Sequence, residues 1–393
     1  MQKKRIDQLD ALRGISLLGI LLVNMLIFQY GILGKDQLIY FTDSNTDIWT
    51  RNLIYILIEG SFLPIFTFLL GYSLVLYRRS SNTIRPSKII LKRSIGLLLI
   101  GFLHFLFIWE GDILFSYGLT TLFLLMFIKR KPHTILIWAL IFLGTISLFS
   151  YGSYNQSALD PNKISSYILN TEEVYSNGHY SEILQHRLES EALTKVLGLD
   201  IEGMGTFILI LTTLVSPFTL LPMALLGIYA AKMKFYKINP RYYYIGILLI
   251  PIGIVMKLLY LQYPNNDLYG MTFTLGSNFL GIGYISLLFS IYPYLKLINP
   301  YLIATGRLSL SNYIAYSIIF TFIFYGYGLG LFGKIGVLNG VIITFVVYVF
   351  LAILSKLYLK KWDNGPMEIL LKKFINIGEK RKFESELSTK TSS

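Results

Sequence analysis

The sequence predicts an all-α fold, a polytopic membrane helix bundle with about ten transmembrane helices. Apolar residues make up 54% of the 393 residues and charged residues only 15%, whereas about a quarter of the residues in a soluble chain are charged. The mean hydropathy is +0.58. Apolar runs of about twenty residues, the length that crosses a hydrocarbon core, recur along the chain. Together these observations exclude a soluble globular domain, a disordered chain and a disulfide scaffold.

Each predicted helix is an apolar run between charged or turn-forming residues. The predicted helices are 15–31, 52–77, 89–109, 113–128, 133–151, 206–231, 242–262, 271–295, 309–327 and 337–358. We therefore expect a single transmembrane domain over residues 1–371, with an outer loop at 152–205 and a polar tail at 372–393. Pro64 frees a backbone carbonyl near Gly60, so the second helix should bend there. Apolar spacing within 174–198 predicts a short amphipathic helix in the outer loop.

The distribution of charge predicts the topology. Most of the 35 Lys and Arg residues fall in alternate connections, in the first residues and in the tail. Because cationic loops stay in the cytoplasm, both termini are predicted to be cytoplasmic, and the chain is assigned to a cytoplasmic (plasma) membrane. The net charge of +13 then reflects topology, so we expect the lipid bilayer and no nucleic acid as a partner. The sequence leaves the oligomeric state open, with a homodimer as one alternative.

The sequence predicts no metal site. The chain has no cysteine, which removes thiolate ligands, thiolate nucleophiles and disulfides together. His179 and His186 lie in the outer loop at a spacing of seven residues, which is weak ligand spacing for a metal.

Polar side chains inside apolar segments are the candidate functional residues, because a charge in hydrocarbon is costly unless it is paired or faces water. Asp10 and Arg13 begin the first helix at i, i+3 spacing and can form an ion pair that fixes the topology. Asn24 lies deeper in the same helix, where an interhelical hydrogen bond is the simplest role for its amide. Glu59 lies near the outer end of the second helix, and Arg93 lies at the inner end of the third.

His104 is the only histidine well inside a predicted transmembrane helix, because His133 falls at the inner membrane boundary beside Lys131. Histidine exchanges a proton near neutral pH, and a neighbouring carboxylate can fix its tautomer. On a continuous helix, Asp112 would lie about 12 Å further along the axis, so direct contact within the helix is not expected. We expect His104 to meet a partner from another helix or a bridging substrate. A histidine that merely bonds to a neighbouring helix is the alternative.

Seven segments carry a resemblance to a known family. They are residues 5–14 (RIDQLDALRG), 18–24 (LGILLVN), 59–71 (EGSFLPIFTFLLG), 101–118 (GFLHFLFIWEGDILFSYG), 306–313 (GRLSLSNY), 326–330 (GYGLG) and 364–368 (NGPME). In this order they resemble the YeiB family of bacterial membrane proteins, a family of unknown function. The resemblance spans nearly the whole chain, with the 152–205 loop least covered. Ser61 stands where the second-helix motif of that family is expected to have a lysine, so no role of that lysine is transferred.

The resemblance implies a relation to transmembrane acyltransferases, including the heparan-α-glucosaminide acetyltransferase and glucan-modifying succinyltransferase types. Those proteins take an acyl group from cytoplasmic acyl-CoA and deliver it to a hydroxyl or amine within or across the membrane. Acyl-CoA would be the donor, and an unidentified glycan, lipid or small molecule would be the acceptor. Arg13, Arg78, Arg79 and Arg93 would hold the CoA phosphates.

The resemblance also implies roles for the polar residues further along the helices. His104 would deprotonate the acceptor, while Asn24 would orient the thioester or stabilise its oxyanion. Asp112 and Glu59 would bind the acceptor, or Asp112 would orient His104. Since the chain has no cysteine, direct transfer in a ternary complex is expected, with Ser61 as the alternative acyl carrier.

A proton-coupled secondary transporter of a small solute is the competing prediction. Asn24, His104 and the outer acids would suit a proton-coupled carrier. Transporters often contain inverted repeats with paired broken helices, and no repeated motif is visible in this sequence. The sequence therefore favours a membrane acyltransferase that uses acyl-CoA, with a transporter as the second prediction.

Overall fold

The computed structural model describes residues 6–80, 86–151, 160–188, 205–234, 241–263 and 266–377. Within these ranges the longer regular elements are all α-helices, as predicted. They are α1 (Asp7–Gly34), α2 (Asn45–Leu57), α3 (Phe62–Ser80), α4 (Pro86–Phe107), α5 (Leu114–Phe127), α6 (Pro132–Phe149), α7 (Pro161–Asn177), α8 (Tyr180–Leu188), α9 (Gly205–Lys232), α10 (Arg241–Gln262), α11 (Leu268–Ile291), α12 (Asn299–Arg307), α13 (Ser309–Phe324), α14 (Val337–Tyr358) and α15 (Pro366–Asn376).

Eight helical segments in the described part of the chain are long and apolar enough to cross a membrane, so the chain is a multi-pass membrane protein. The number rises to nine if α12 and α13, which meet at 86°, form one broken span. The segment predicted at 113–128 is the 14-residue helix α5. At 1.5 Å per residue it is about 21 Å long, too short for a hydrocarbon core of about 30 Å. Length and composition therefore support fewer full spans than the ten predicted.

The second predicted helix, 52–77, is broken into α2 and α3 at residues 58–61. The predicted irregularity near Gly60 is therefore present, as a break between two helices. The backbone of Gly60 itself has a φ of 70°. Glycine adopts this left-handed conformation without the steric penalty of a Cβ. The Ser61 N–H then bonds to the Ile58 carbonyl at 3.0 Å, and α3 begins at the next residue.

The outer loop contains two helices, α7 and α8, where one helix over 174–198 was predicted. Helix α7 begins earlier because Pro161 occupies its first turn and the Asp160 carboxylate accepts the Asn162 N–H at 2.9 Å. Helix α8 presents Ile183 to the core, where it is 1% exposed. The remainder of the predicted helix, from 189 onwards, lies outside the described residues.

Helix α15 crosses the predicted boundary between the transmembrane domain and the tail. Leu371 is buried and packs near Gly96 of α4. The helix continues past this contact to Asn376. The rest of the predicted tail, from 378 to 393, lies outside the described residues. Glu368 of α15 accepts the backbone N–H groups of Leu310 and Ser311 at 2.9 and 3.3 Å. It thereby caps the start of α13, where the preceding residue offers no side-chain cap.

Helix α1 is buried along most of its length and packs against α3, α12, α13 and α14. Its contact with α12 is a backbone contact: a Cβ on Gly306 would lie 1.8 Å from the Asp10 carbonyl oxygen. Only glycine fits at this separation. The approach brings Arg307, at the end of α12, to the same end of the bundle as Arg13 of α1.

Candidate functional site

A cavity of about 770 Å³ lies at the end of the bundle where α1 begins. The described residues that line it carry five cationic and two acidic side chains. These are Arg13, Arg79, Arg93, Arg307 and Lys372, with Asp10 and Glu368. We call this the basic cavity. Its excess of positive charge and its volume suit an anionic ligand of cofactor size.

Two of the arginines that line the basic cavity are held by protein groups. Arg13 Nη1 lies 2.9 Å from Asp10 Oδ1, and its Nη2 donates to Ser73 Oγ at 2.8 Å. Arg79 donates to the Ala231 carbonyl at 3.2 Å. Both guanidinium groups are therefore oriented before any ligand arrives.

Two other arginines of the basic cavity have unused hydrogen-bonding capacity. The Nε atoms of Arg93 and Arg307 are buried and have no hydrogen-bond partner among the described residues. Buried polar atoms are normally satisfied, and an exception calls for an unseen water, ion or ligand. Since both residues line the cavity, these donors are available to a ligand inside it.

Arg78 lies beside Arg79 in sequence but does not line the basic cavity. It donates instead to the Ile128 carbonyl at 3.2 Å. The sequence grouped the two arginines by their shared loop. The structure separates them because adjacent residues of a helix point in directions about 100° apart.

His104 and Asp112 are in direct contact, which corrects the expectation that they would be too far apart. His104 Nδ1 lies 3.0 Å from Asp112 Oδ1, and both side chains are almost fully buried. Helix α4 ends at Phe107, and the N–H groups of Ile108 and Trp109 both bond to the His104 carbonyl. The chain then turns back through residues 108–113, which places Asp112 beside His104 rather than 12 Å beyond it.

Gly101 lies one helical turn before His104 and leaves room for the chain reversal at residues 108–113. A Cβ at Gly101 would lie 2.7 Å from Asp112 Oδ2 and 2.3 Å from the Phe115 nitrogen. Asp112 Oδ2 accepts the Phe115 N–H at 2.8 Å and so helps to begin α5. The Asp112 carboxylate is therefore fixed by one oxygen and faces His104 with the other.

Neither ring nitrogen of His104 has a hydrogen-bond partner of good geometry among the described residues. Nδ1 faces Asp112 Oδ1 at 3.0 Å, whereas Nε2 is buried and faces no such group in that part of the chain. His104 itself is 2% exposed. The Tyr313 ring is tilted against the imidazole at a centroid distance of 5.2 Å, and Tyr313 also lines the basic cavity. Tyr313 therefore lies between the cavity and the imidazole.

Asn24, His104 and Asp112 do not line the basic cavity in this conformation. Asn24 lies on α1 and is 8% exposed. The structure thus groups the predicted residues in two places, with the arginines around the cavity and the His104–Asp112 pair beyond Tyr313.

Glu59 belongs to a separate polar cluster at the break between α2 and α3. Its carboxylate lies 2.8 Å from Lys35 Nζ, which also contacts Asp36 at 2.9 Å. Asp36 in turn lies 2.8 Å from Arg51. Burial alone would lower the pKa of Lys35, but the two carboxylates outweigh it and raise that pKa well above its ordinary value. Glu59 makes its ion pair in this cluster and has no recorded contact with His104.

Lys257 was not among the predicted site residues. It lies on α10, has no exposed surface, and places its ammonium 3.3 Å from Ser61 Oγ and in contact with the Glu59 carbonyl. The Phe273 ring lies 4.9 Å away. This ammonium therefore lies beside the position where the resemblance led us to expect a lysine. The signal in the sequence was a single lysine inside an apolar helix.

Glu110, Tyr175 and Arg187 were also missed. Glu110 was interpreted only as part of a tight outer turn, and the other two lie in the outer loop. The Tyr175 hydroxyl donates to Glu110 Oε1 at 3.0 Å, and Arg187 Nη1 lies 3.9 Å from Glu110 Oε2. Burial raises the pKa of Glu110, although Arg187 and the Tyr175 hydrogen bond oppose this shift. Only the folded chain brings these three residues together.

No group of three or more His, Asp or Glu side chains that could hold a metal occurs among the described residues. His186, a weak candidate ligand in the sequence, has its Nε2 3.0 Å from Thr171 Oγ1. This contact gives His186 a structural role between α7 and α8.

Two family models match the chain, one in each half. Residues 5–180 match the catalytic region of heparan-alpha-glucosaminide N-acetyltransferase. Residues 230–378 match a protein family of unknown function, DUF418. The first segment contains Arg13, Arg79, Arg93, His104 and Asp112. The second contains Arg307 and Tyr313.

Similar proteins are uncharacterised. YxaH of Bacillus subtilis is 30% identical over 392 residues, which cover 94% of each chain. YeiB of Escherichia coli is 28% identical over 390 residues, which cover 92% of this chain and 94% of YeiB. An uncharacterised 39.9 kDa protein of Bacillus acidopullulyticus is 37% identical over 150 residues, 37% of this chain and 41% of its own.

Proposed function

Because the chain belongs to the YeiB-like family of multi-pass membrane proteins, we propose that it is an acyltransferase that takes its acyl group from cytoplasmic acyl-CoA. The observation that carries the proposal is the basic cavity, whose lining residue Tyr313 packs against a buried His–Asp pair. The match of residues 5–180 to an acetyltransferase catalytic region supports it.

Acyl-CoA binds in the basic cavity with its phosphates toward the arginines. Arg93 and Arg307 supply Nε donors that have no partner within the described part of the chain, and Arg13 and Arg79 supply charge that is already oriented. Charge-assisted bonds from arginine to phosphate are short, directional and stronger than neutral ones. Because cationic loops stay inside, the basic cavity faces the cytoplasm, where acyl-CoA is made.

His104 acts as the general base through Nε2. The Asp112 carboxylate lies 3.0 Å from Nδ1 and favours a proton on that nitrogen, which leaves the lone pair on Nε2. Nε2 removes the proton of the acceptor hydroxyl or amine as that group attacks the thioester carbonyl. The new C–O or C–N bond forms, the C–S bond breaks, and the proton passes from His104 to the CoA sulfur. No cysteine carrier is needed, and the chain has none.

Tyr313 must move before the acyl group can reach His104. In this conformation its ring lies against the imidazole and its hydroxyl lies 3.3 Å from the Ile113 nitrogen. Rotation of this one side chain would join the cavity to the His–Asp pair. The closed position would protect the thioester from water when no acceptor is bound.

The first test is binding of acetyl-CoA to the full-length protein in lipid nanodiscs, measured by the shift of melting temperature. We expect a saturable rise. Arg79→Ala and Arg93→Ala should each weaken binding about 10- to 100-fold, because each removes charge-assisted bonds worth about 1.5–3 kcal/mol. Arg78→Ala is the matched control, since Arg78 neighbours Arg79 but does not line the cavity. No shift at millimolar acetyl-CoA would contradict the proposal.

The second test is turnover. Release of the CoA thiol can be followed with a thiol reagent without background, because the chain has no cysteine. His104→Ala should abolish release while acetyl-CoA binding is kept. If the protein binds no acetyl-CoA but takes up a solute into proteoliposomes under a pH gradient, the transporter replaces the acyltransferase. Loss of that uptake in His104→Ala would assign the proton coupling to His104.

A further inference from the structure

The outer end of the bundle contains a small polar site that the donor cavity does not include. It is formed by Glu110 of the 108–113 turn, Tyr175 of α7 and Arg187 of α8. We propose that this site binds a hydroxyl group of an uncharged, polyhydroxylated acceptor. The inference rests on the proposed function, for which it names the class of acceptor.

The first argument is unused hydrogen-bonding capacity. Glu110 Oε2 and the Nε and Nη1 atoms of Arg187 are buried and have no hydrogen-bond partner among the described residues. The Arg187 side chain is only 4% exposed. The free-energy cost of leaving a buried charged group without a hydrogen bond exceeds the net free energy gained from one ordinary hydrogen bond. Three such atoms on two neighbouring side chains, two of them 3.9 Å apart, therefore indicate a ligand or water beside them.

The second argument is the distance between the two charged groups. Arg187 Nη1 lies 3.9 Å from Glu110 Oε2, which is too long for a hydrogen bond between them. An oxygen placed about 2.8 Å from each atom closes a triangle on this separation. A hydroxyl group fits, because it donates its proton to Glu110 Oε2 and accepts from Arg187 Nη1 at the same time. An ammonium group has no acceptor, so it would satisfy only Glu110. A carboxylate has no donor, so it would satisfy only Arg187.

The third argument is charge balance. The site already holds one anion and one cation, so a charged ligand would bury an uncompensated charge. Tyr175 keeps Glu110 in place with a 3.0 Å hydrogen bond, and the Leu106 carbonyl accepts from Arg187 Nη2 at 3.2 Å. Both side chains are therefore oriented while their remaining atoms stay free. This arrangement favours a neutral hydroxyl over an ion.

The position of the site explains why the acceptor needs more than one hydroxyl. Glu110 and Asp112 lie in the same short turn, and Asp112 contacts His104. One hydroxyl of the acceptor binds between Glu110 and Arg187, and another is presented to His104. A polyol or sugar has this repetition of hydroxyl groups, whereas a simple alcohol does not. Helices α7 and α8 cover the site from the outer face.

The test uses D-glucose as the probe and Trp109 as the reporter. Trp109 lies next to Glu110 in the chain and is fully buried. Trp49→Phe, Trp138→Phe and Trp362→Phe together leave it as the single tryptophan of the full-length protein. In nanodiscs without acetyl-CoA, D-glucose should change the Trp109 emission saturably. Betaine, which has no hydroxyl group, should not do so at equal osmolality.

Variants of the site separate binding from folding. Glu110→Leu and Arg187→Met should each weaken glucose binding at least about tenfold, since each removes a charge-assisted hydrogen bond. Glu173→Leu, an exposed position on α7, is the matched control. Tyr175→Phe loses only the bond to Glu110 and should have an intermediate effect. Unchanged acetyl-CoA binding shows that a variant is folded.

The outcomes distinguish this inference from the proposed function. Saturable glucose binding that is lost in Glu110→Leu supports the site, even if no CoA is ever released. The inference is overturned if glucose gives no saturable signal in protein that binds acetyl-CoA, or if both variants bind glucose like the parent. Absence of acetyl-CoA binding and turnover, with glucose binding intact, overturns the acyltransferase and leaves the hydroxyl site.

Discussion

Asp112 Oδ1 lies 3.0 Å from His104 Nδ1, although the two residues are eight positions apart in the chain. The contact exists because α4 ends at Phe107 and the chain reverses before α5. It turns Nδ1 toward the carboxylate and leaves Nε2 as the ring nitrogen that faces no charged group among the described residues.

Substitution of Asp112 should lower the rate of acyl transfer without preventing folding. Asp112→Asn keeps an oxygen that can accept the Phe115 N–H, so α5 should still begin normally. It removes the charge that fixes the His104 tautomer. We expect a fall in kcat of about 10- to 100-fold, smaller than the loss in His104→Ala, which removes a general base worth about 10²–10⁴. The measurement is CoA release at saturating acetyl-CoA, and equal rates in the two variants would contradict the assigned roles.

Gly101→Ala should destabilise the protein and displace Asp112. Its Cβ would meet the Phe115 nitrogen and Asp112 Oδ2 at distances no real Cβ tolerates, and overpacking of this kind costs about 1–3 kcal/mol. Gly144→Ala is the matched control, because nothing lies within 4 Å of its added Cβ. That control should be neutral or stabilising by about 0.5–1 kcal/mol, since alanine favours a helix over glycine. The measurement is the melting temperature of each variant in nanodiscs. Equal shifts in the two variants would contradict the close contact at Gly101.

Glu110 should make stability depend on pH. Its pKa in the folded protein is raised above the ordinary value of 4.5, mainly by burial. A carboxyl group with a raised folded pKa stabilises the protein at low pH, and this contribution is lost as the pH rises through the folded pKa. Gln at this position stays neutral at every pH. The melting temperature of Glu110→Gln minus that of the parent should therefore increase as the pH rises from about 4.5. For the control Glu173→Gln, the same difference in melting temperature should not change with pH.

Lys35 and Glu59 should show strong coupling in a double-mutant cycle. Lys35→Met leaves the Glu59 carboxylate without its 2.8 Å partner, and breaking a buried pair costs about 3 kcal/mol or more. Because both side chains keep 15% exposure, we expect the lower end of that range. The double variant Lys35→Met with Glu59→Gln should recover most of the loss, since no unpaired carboxylate remains. Lys334→Met, at an exposed site, serves as the control, and additive effects in the cycle would argue against the pair.

The sequence alone determined the features that depend on local composition. Apolar runs marked where helices form, because hydrocarbon admits only backbone whose hydrogen bonds are satisfied within the segment. Lone polar residues in those runs marked His104, Arg93 and Glu59 as candidates. Motif order identified the family, and the close relatives confirm it. Pro64 and Gly60 predicted the bend in the second helix.

Tertiary structure decided which of these residues meet. Asp112 reaches His104 only because the turn after α4 folds back toward the end of that helix. Arg79 lines the basic cavity and Arg78 does not, since helix rotation turns neighbours apart. Glu110 lies 65 residues before Tyr175 in the chain, and Arg187 joins them from the helix that follows Tyr175. Lys257 comes to Ser61 from a distant helix. Such contacts depend on how helices pack, which is set by the shapes of many facing side chains together and by no local pattern.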